Sequence, residues 1–213
     1  MKRIRTVPNI KLEVYKIIRE GIARGRIQRG TQLKESDLVD KLGVSRTPIR
    51  EALNQLSKEG IVEIYPRKGA FVKNWTKQEV IEILLIREVL EGLAVRLATK
   101  NLDEKSIKKL QGYFENYAKK FGSYAKADEQ FHNDIINSSG SNHLISLINN
   151  LHDTVQMSEM RKVSFRSPER IKGSMAEHLK IIKAIREGND KLAEGLAREH
   201  FRHTRVYYKS HVE

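Results

Sequence analysis

GVSRTPIREALNQLSKEG, Gly43 to Gly60, is the stretch on which the fold of this chain turns. Gly43 supplies a turn and Ser45 an N-cap. From about Arg46 to Lys58, Ile49, Leu53 and Leu56 recur at helical spacing. Pro48 falls in the first helical turn, where N–H groups have no intrahelical partner anyway. Upstream, ESDLVDKL (35–42) predicts a short helix. VYKIIREGIARG (14–25) predicts an amphipathic one with Val14, Ile17, Ile18 and Ile22 inside, ending near Gly25. After Gly60 the period changes to extended. IVEIY (61–65) and AFVKN (70–74) flank PRKG (66–69), whose Pro66 and Gly69 suit a hairpin turn. Two short helices about a glycine turn, then a hairpin with a basic tip, make the layout of a winged helix-turn-helix.

The position of the cations points to a partner. A recognition helix presents its N-terminal residues to base edges in the major groove. Here those residues are Ser45, Arg46, Thr47 and Arg50. Arg46 and Arg50 lie four apart on one face, while Ile49 and Leu53 face inward. An arginine paired bidentately with guanine discriminates by roughly 1–3 kcal/mol, or it grips phosphate without reading sequence. The Ser45 and Thr47 hydroxyls suit phosphate. Arg67, Lys68 and Gly69 form the wing tip that would reach the flanking groove or backbone. The competing reading is a solvated charged helix with no nucleic-acid role.

This part of the chain resembles a known family. LKESDLVDKLGVSRTPIREALNQLSKEGIVEIYPRKGAFV (33–72) is similar to the winged-helix domain of the GntR family of bacterial transcription regulators, and GVSRTPIREAL is close to that family's most recognisable stretch. One departure is QRGTQL (28–33), where Arg29 stands in place of a proline. The resemblance implies a homodimer on a palindromic operator in double-stranded DNA, contacted by the residues just named.

Bulk composition agrees. The net charge of +13 is concentrated early: residues 1–75 hold 17 Lys and Arg against 8 Asp and Glu, and residues 76–213 hold 23 against 19. A basic first third favours a polyanion, with nucleic acid foremost. All seven histidines lie between His132 and His211. The absence of cysteine excludes disulfides, thiolate metal sites and a cysteine nucleophile. No run approaches the ~18 apolar residues of a membrane span, and MKRIRTVPNIKLEVY lacks the apolar segment of a signal peptide. The expectation is a cytoplasmic protein.

From Thr76 onward no period-2 strand of useful length is seen. TKQEVIEILLIREVLEGLAVRLATK (76–100) predicts a long helix capped by Thr76, and DEKSIKKLQGYFENYAKKF (103–121) a second. Further helices are expected at about 124–138, 142–165, 168–187 and 189–209, with breaks at NSSGSN, SFRSP and EGND. The predicted fold class is mainly α: a winged helix-turn-helix of three helices and a β-hairpin over 1–74, then an antiparallel bundle of about six helices over 75–213.

Polar residues interrupt the apolar stripes of that bundle. Asp128 and His132 fall in line with Phe131, Ile135 and Ile136; His178 with Met175, Ile182 and Ile185; His200 with Leu192, Leu196 and Tyr207. Buried polar groups are costly unless paired, and three answers compete: a catalytic pair, a metal site, or a hydrogen-bonded pair of structural use. One carboxylate and three imidazoles suit a divalent ion, with Zn foremost and Ni, Mn or Fe as alternatives. His152 and His203 flank the stripes as rival ligands, whereas His143 and His211 are expected to be exposed.

REVLEGLAVRLA (87–98), DEQFHNDIINSSGSN (128–142) and EHLKIIKAIREGND followed by AREH (177–200) resemble the all-helical FCD effector domain of one branch of GntR regulators. In its metal-binding members the ligands are an Asp and a His in a D-x3-H pair, a His after Glu, and a His in the last helix. The resemblance implies Asp128, His132, His178 and His200 as the metal set, a small organic acid as effector, and Arg87 as its carboxylate clamp. An Arg87–Glu91 surface pair is the competing reading of that arginine. The function expected is a repressor modulated by a small carboxylate. A metal-dependent hydrolase and a non-specific nucleic-acid binder are the alternatives.

Overall fold

The computed structural model describes residues 10–115, 124–157, 163–165 and 167–212, with the backbone alone for 152–157. The chain divides into two compact units, Met1–Trp75 and Thr76–Glu213.

In the first unit, α1 (Ile10–Ala23) and α2 (Glu35–Leu42) pack on α3 (Arg46–Lys58). Ile49, Ala52, Leu53 and Leu56 form the inner ridge of α3, and Val14, Ile18 and Ile22 that of α1. Ile17, expected inside, is 53 % exposed, because it lies about 100° round the helix from Ile18. Gly43 ends α2 in the left-handed region at φ 64°, with its N–H on the Val39 carbonyl 2.9 Å away. Strands β2 (Val62–Tyr65) and β3 (Gly69–Val72) form the expected hairpin, with Tyr65 opposite Gly69. The hairpin is joined by a third strand that the sequence reading lacked. β1 (Gln32–Leu33) pairs antiparallel with β3 to give the order β1-β3-β2. A two-residue strand has no periodicity to read. It is positioned from outside, by Gly30 turning at φ 74° and donating its N–H to the Val72 carbonyl at 2.9 Å.

The second unit consists, among the described residues, of six long helices: α4 (Lys77–Thr99), α5 (Glu104–Glu115), α6 (Tyr124–Ser138), α7 (Asn142–Met157), α8 (Pro168–Arg186) and α9 (Asp190–His211). The expected extensions of α5 to 121 and α7 to 165 run into 116–123 and 158–162, outside the described residues. Thr76 begins α4 with a capping box: its hydroxyl accepts from the Glu79 N–H, and the Glu79 carboxylate accepts from the Thr76 N–H. Helix α4 packs along α9 and touches α6 and α7. The core gathers Val95 and Ala98 of α4, Leu110 and Phe114 of α5, Phe131 and Ile135 of α6, Ile181, Ile182 and Ile185 of α8, and Ala193 and Ala197 of α9. The inner face of α9 is turned from the expected one. Leu192 is 46 % exposed, and His200 is aligned with Ala193, Ala197, Phe201, Thr204 and Tyr208. Small alanines let α9 approach its neighbours closely, a signal that larger leucines one position away obscured.

Candidate DNA interface and metal centre

Ser45, Arg46, Thr47 and Arg50 are all exposed at the start of α3, and Arg67, Lys68 and Gly69 are exposed at the wing tip. Ser45 occupies the N-cap position with no capping bond from its side chain. Arg50 donates its Nε–H to both oxygens of Glu35 at 2.8 Å, an ion pair across α2 and α3. Between α2, α3 and the wing runs a groove of about 400 Å³ lined by Lys34, Glu35, Arg50, Asn54, Arg67 and Lys68, among others. Lys34 and Asn54 escaped the sequence reading. Asn54 was findable, since it continues the Arg46–Arg50 spacing by one more turn. Gln32 holds the wing by donating to the Lys68 carbonyl at 2.8 Å.

The bundle brings the interrupting histidines together. His132 of α6, His178 of α8 and His200 of α9 offer nitrogens that all lie within 4.8 Å of one another. The Nε2 atoms of His178 and His200 are 3.3 Å apart, and Asp128 Oδ1 is 3.8 Å from His178 Nε2. Ligands at about 2.0–2.1 Å on a tetrahedral ion are separated by roughly 3.3 Å, the separation His178 and His200 already have, so the three imidazoles could share one divalent metal. His178 is fully buried and His200 nearly so; Asp128, its side chain 20 % exposed, stands at the margin.

Each ring is oriented through its other nitrogen. His132 Nδ1 lies 3.1 Å from Glu91 Oε2, His200 Nδ1 2.6 Å from Glu177 Oε2, and His178 Nδ1 3.3 Å from the Tyr124 hydroxyl. Tyr124 donates onward to Ser174 at 2.6 Å. Nδ1 contacts of this kind leave Nε2 as the nitrogen facing the cluster and set the tautomer a metal requires. Phe114 stacks on His178 with centroids 4.9 Å apart, which limits rotation of that ring.

The electrostatics favour neutral imidazoles at His178 and His200, with charged carboxylates behind the rings. Burial, reinforced by His200 and His132, pushes the His178 pKa far down. Burial lowers that of His200 as well, against the pull of Glu177. His132 goes the other way: burial would lower it, but the charge and hydrogen bond of Glu91, with the charge of Asp128, together raise it. Burial alone would raise the Glu91 carboxyl, but Arg87 and His132 outweigh it and hold it at about 2. Glu177 is likewise held at about 2, burial being overcome by His200 and Arg170.

Arg87 is neither a surface residue nor free. It is 4 % exposed, ion-paired with Glu91, and sits 5.1 Å above the Phe201 ring. The competing reading of the sequence had the Arg87–Glu91 pair but put it on the surface, whereas the pair is buried in the bundle. Of the rival ligands, His203 is half exposed and directs Nδ1 to Glu177 Oε1 at 2.9 Å, while the His152 side chain lies outside the described residues. His143 and His211 are exposed, as expected. The contact of Glu91 with His132, and the roles of Tyr124, Ser174 and Glu177, were missed. Of these only Glu177, directly before His178, carried a local signal.

Comparison with known proteins places these features in context. The FCD domain profile matches residues 82–203, and that of the bacterial regulatory proteins of the gntR family matches residues 10–72. The chain is 27 % identical over 208 residues to the uncharacterized HTH-type transcriptional regulator YdhC of Bacillus subtilis, covering 95 % of this chain and 92 % of that one. It is 32 % identical over 178 residues to the gluconate operon transcriptional repressor of Bacillus licheniformis, covering 78 % and 72 %. The solved structure of E. coli McbR/YncC shares the fold with TM-score 0.76 and 21 % identity, over 95 % of this chain and 99 % of that one.

Proposed function

The chain belongs to the GntR family of bacterial regulatory proteins and carries an FCD domain, and on that basis we propose a homodimeric, metal-containing repressor released or retained by a small carboxylate effector. The DNA-binding regulator is the family's function. The observation that carries the finer reading is the convergence of His132, His178 and His200 inside the same chain that exposes Arg46, Arg50, Arg67 and Lys68.

At the DNA end, Arg46 and Arg50 would read base edges, Ser45 and Thr47 would bind phosphate, and Arg67, Lys68 and Gly69 would follow the backbone beside them. Glu35 takes the Nε side of Arg50, which leaves the two terminal nitrogens of the guanidinium for a guanine edge. Support for a homodimer comes from α4, which exposes Leu85, Ile86, Val89 and Leu93 on the side opposite its buried Leu84, Arg87, Glu91 and Val95. Such a stripe is suited to a second copy of the same helix, and a palindromic operator would mirror that two-fold symmetry. Among the described residues no helix is long and apolar enough to cross a membrane, in keeping with a cytoplasmic location.

At the effector end, Asp128, His132, His178 and His200 would hold the metal, with Zn favoured by three imidazoles and one carboxylate. A bound divalent ion supplies a Lewis-acidic anchor for an anionic ligand. Arg87, beside Phe201, would add charge complementarity for a carboxylate. The site is proposed as sensory and not enzymatic, because the nearest supporting carboxylates, Glu91 and Glu177, are each engaged with a histidine Nδ1 and cannot serve as general base. The effector acts only through a difference in affinity between DNA-competent and DNA-incompetent arrangements.

Two measurements test this. The variant with Asp128, His132, His178 and His200 all changed to alanine should lose stoichiometric metal; one tight metal per chain retained would defeat the assignment. Arg46→Ala should weaken the selected operator more than random DNA at fixed ionic strength, and equal losses on both would favour the non-specific binder.

A further inference from the structure

We propose that Glu91 is a positioning residue that links His132 to Arg87, so that occupancy of the metal site and the availability of Arg87 depend on each other. The inference rests on the metal reading above. Glu91 is 2 % exposed and uses its two oxygens on different partners: Oε1 accepts from Arg87 and Oε2 faces His132 Nδ1 at 3.1 Å. Arg87 and Glu91 belong to α4, His132 to α6. Phe201 of α9 closes the group, 5.1 Å from the guanidinium and 5.3 Å from the His132 ring centroid.

A carboxylate buried between two donors cannot strengthen one bond without changing the other. When His132 Nε2 donates its lone pair to a cation, its Nδ1–H becomes more acidic and pulls harder on Oε2. The Oε1 bond to Arg87 then weakens, and the guanidinium gains capacity for an external carboxylate. The reverse also holds, since an anion that takes Arg87 leaves Glu91 to His132 alone. Such coupling is reciprocal by thermodynamic necessity. Its place in the chain is notable, because α4 begins at Lys77, two residues after the first unit ends at Trp75. Glu91 therefore carries any change at the metal ligands to the helix that follows the DNA-binding unit.

The test is a double-mutant cycle on the full chain, read as Zn²⁺ affinity by competition with a chromophoric chelator. Wild type should bind one Zn²⁺ per chain. Glu91→Gln should bind with the same stoichiometry and roughly 10- to 100-fold weaker affinity, the usual loss when a carboxylate that orients a ligating histidine is removed, and Glu91→Asp should recover part of it. Arg87→Gln should bind more tightly than wild type, and this gain should vanish in the Glu91→Gln background. The double variant leaves no unpaired buried charge, so it remains a usable readout where a single variant fails to fold. Hydrogen exchange adds a second signature, with Zn²⁺ protecting residues 77–99 in wild type and not in Glu91→Gln. Glu91→Gln binding like wild type, or Arg87→Gln acting equally in both backgrounds, would overturn the coupling alone. A wild type that binds no Zn²⁺, or a His178→Ala variant that binds as well as wild type, would overturn the metal centre and the coupling with it.

Discussion

At Arg67 the backbone and the side chain have opposed requirements. Its φ of 63° at the wing tip is a left-handed conformation that costs a side-chain-bearing residue about 1–2 kcal/mol relative to glycine. The residue is retained where a cation projects from the tip of the hairpin. Arg67→Gly should therefore stabilise the first unit by about 1 kcal/mol in thermal denaturation, while the salt dependence of DNA binding falls by roughly one counterion. An anisotropy titration across a salt series decides it, and an unchanged slope would remove Arg67 from the interface. In the bundle, Glu177 accepts from His200 and His203 through separate oxygens. Glu177→Gln should lower metal affinity about 10-fold or more, whereas His203→Ala should leave it within a few-fold. Isothermal titration would show this, and the opposite ranking would make His203 a ligand. The histidines were legible because imidazoles interrupting apolar stripes stand out by type. Glu91 and Glu177 were not, because an acidic residue on a helix is ordinarily a solvated one, and only packing made these two internal.

At the scale of elements, α3 was readable along its length and α4 at its start, for different reasons. The inner ridge of α3 is strictly periodic, and Ile49 at its start is wholly buried. Ile49→Ala should cost about 2–5 kcal/mol, enough to unfold the first unit at modest denaturant. A stable, DNA-binding Ile49→Ala protein would show that the ridge is not the core. Helix α4 announces its start through Thr76 and Glu79, and Thr76→Ala should cost about 1 kcal/mol, seen in calorimetry as a fall in melting temperature of roughly 2–4 °C for a unit of this size. The rest of α4 reads poorly because apolar residues fall on both sides: Val80, Leu84, Val95 and Ala98 are buried, while Leu85, Ile86 and Val89 are exposed. An amphipathic pattern assumes one apolar face, and a helix with two defeats it. Strand β1 was invisible for the complementary reason, since its pairing with β3 is a long-range contact with no local pattern behind it.

At the scale of the whole molecule, the exposed stripe of α4 and the histidine cluster are the features expected to govern assembly and switching under the proposed function. Val89→Glu with Leu93→Glu should yield monomers in sedimentation, with operator affinity reduced at least 10-fold by the loss of simultaneous engagement of two half-sites. A dimer that survives both charges would place the interface elsewhere.

The pattern of residues alone determined that the chain begins with a winged helix-turn-helix and continues as a helical bundle, because periodicity, caps and turn glycines are local properties written in consecutive residues. It also singled out Asp128, His132, His178 and His200, because polar side chains on apolar stripes must find partners once buried. Tertiary structure alone decided that three of those side chains meet, that Asp128 stays at the margin, and that Arg87 is buried against Glu91. The same packing joined Glu91 to both Arg87 and His132. Those outcomes depend on how α4, α6, α8 and α9 rotate about their own axes when they pack, and each helix adopts a rotation dictated by its neighbours.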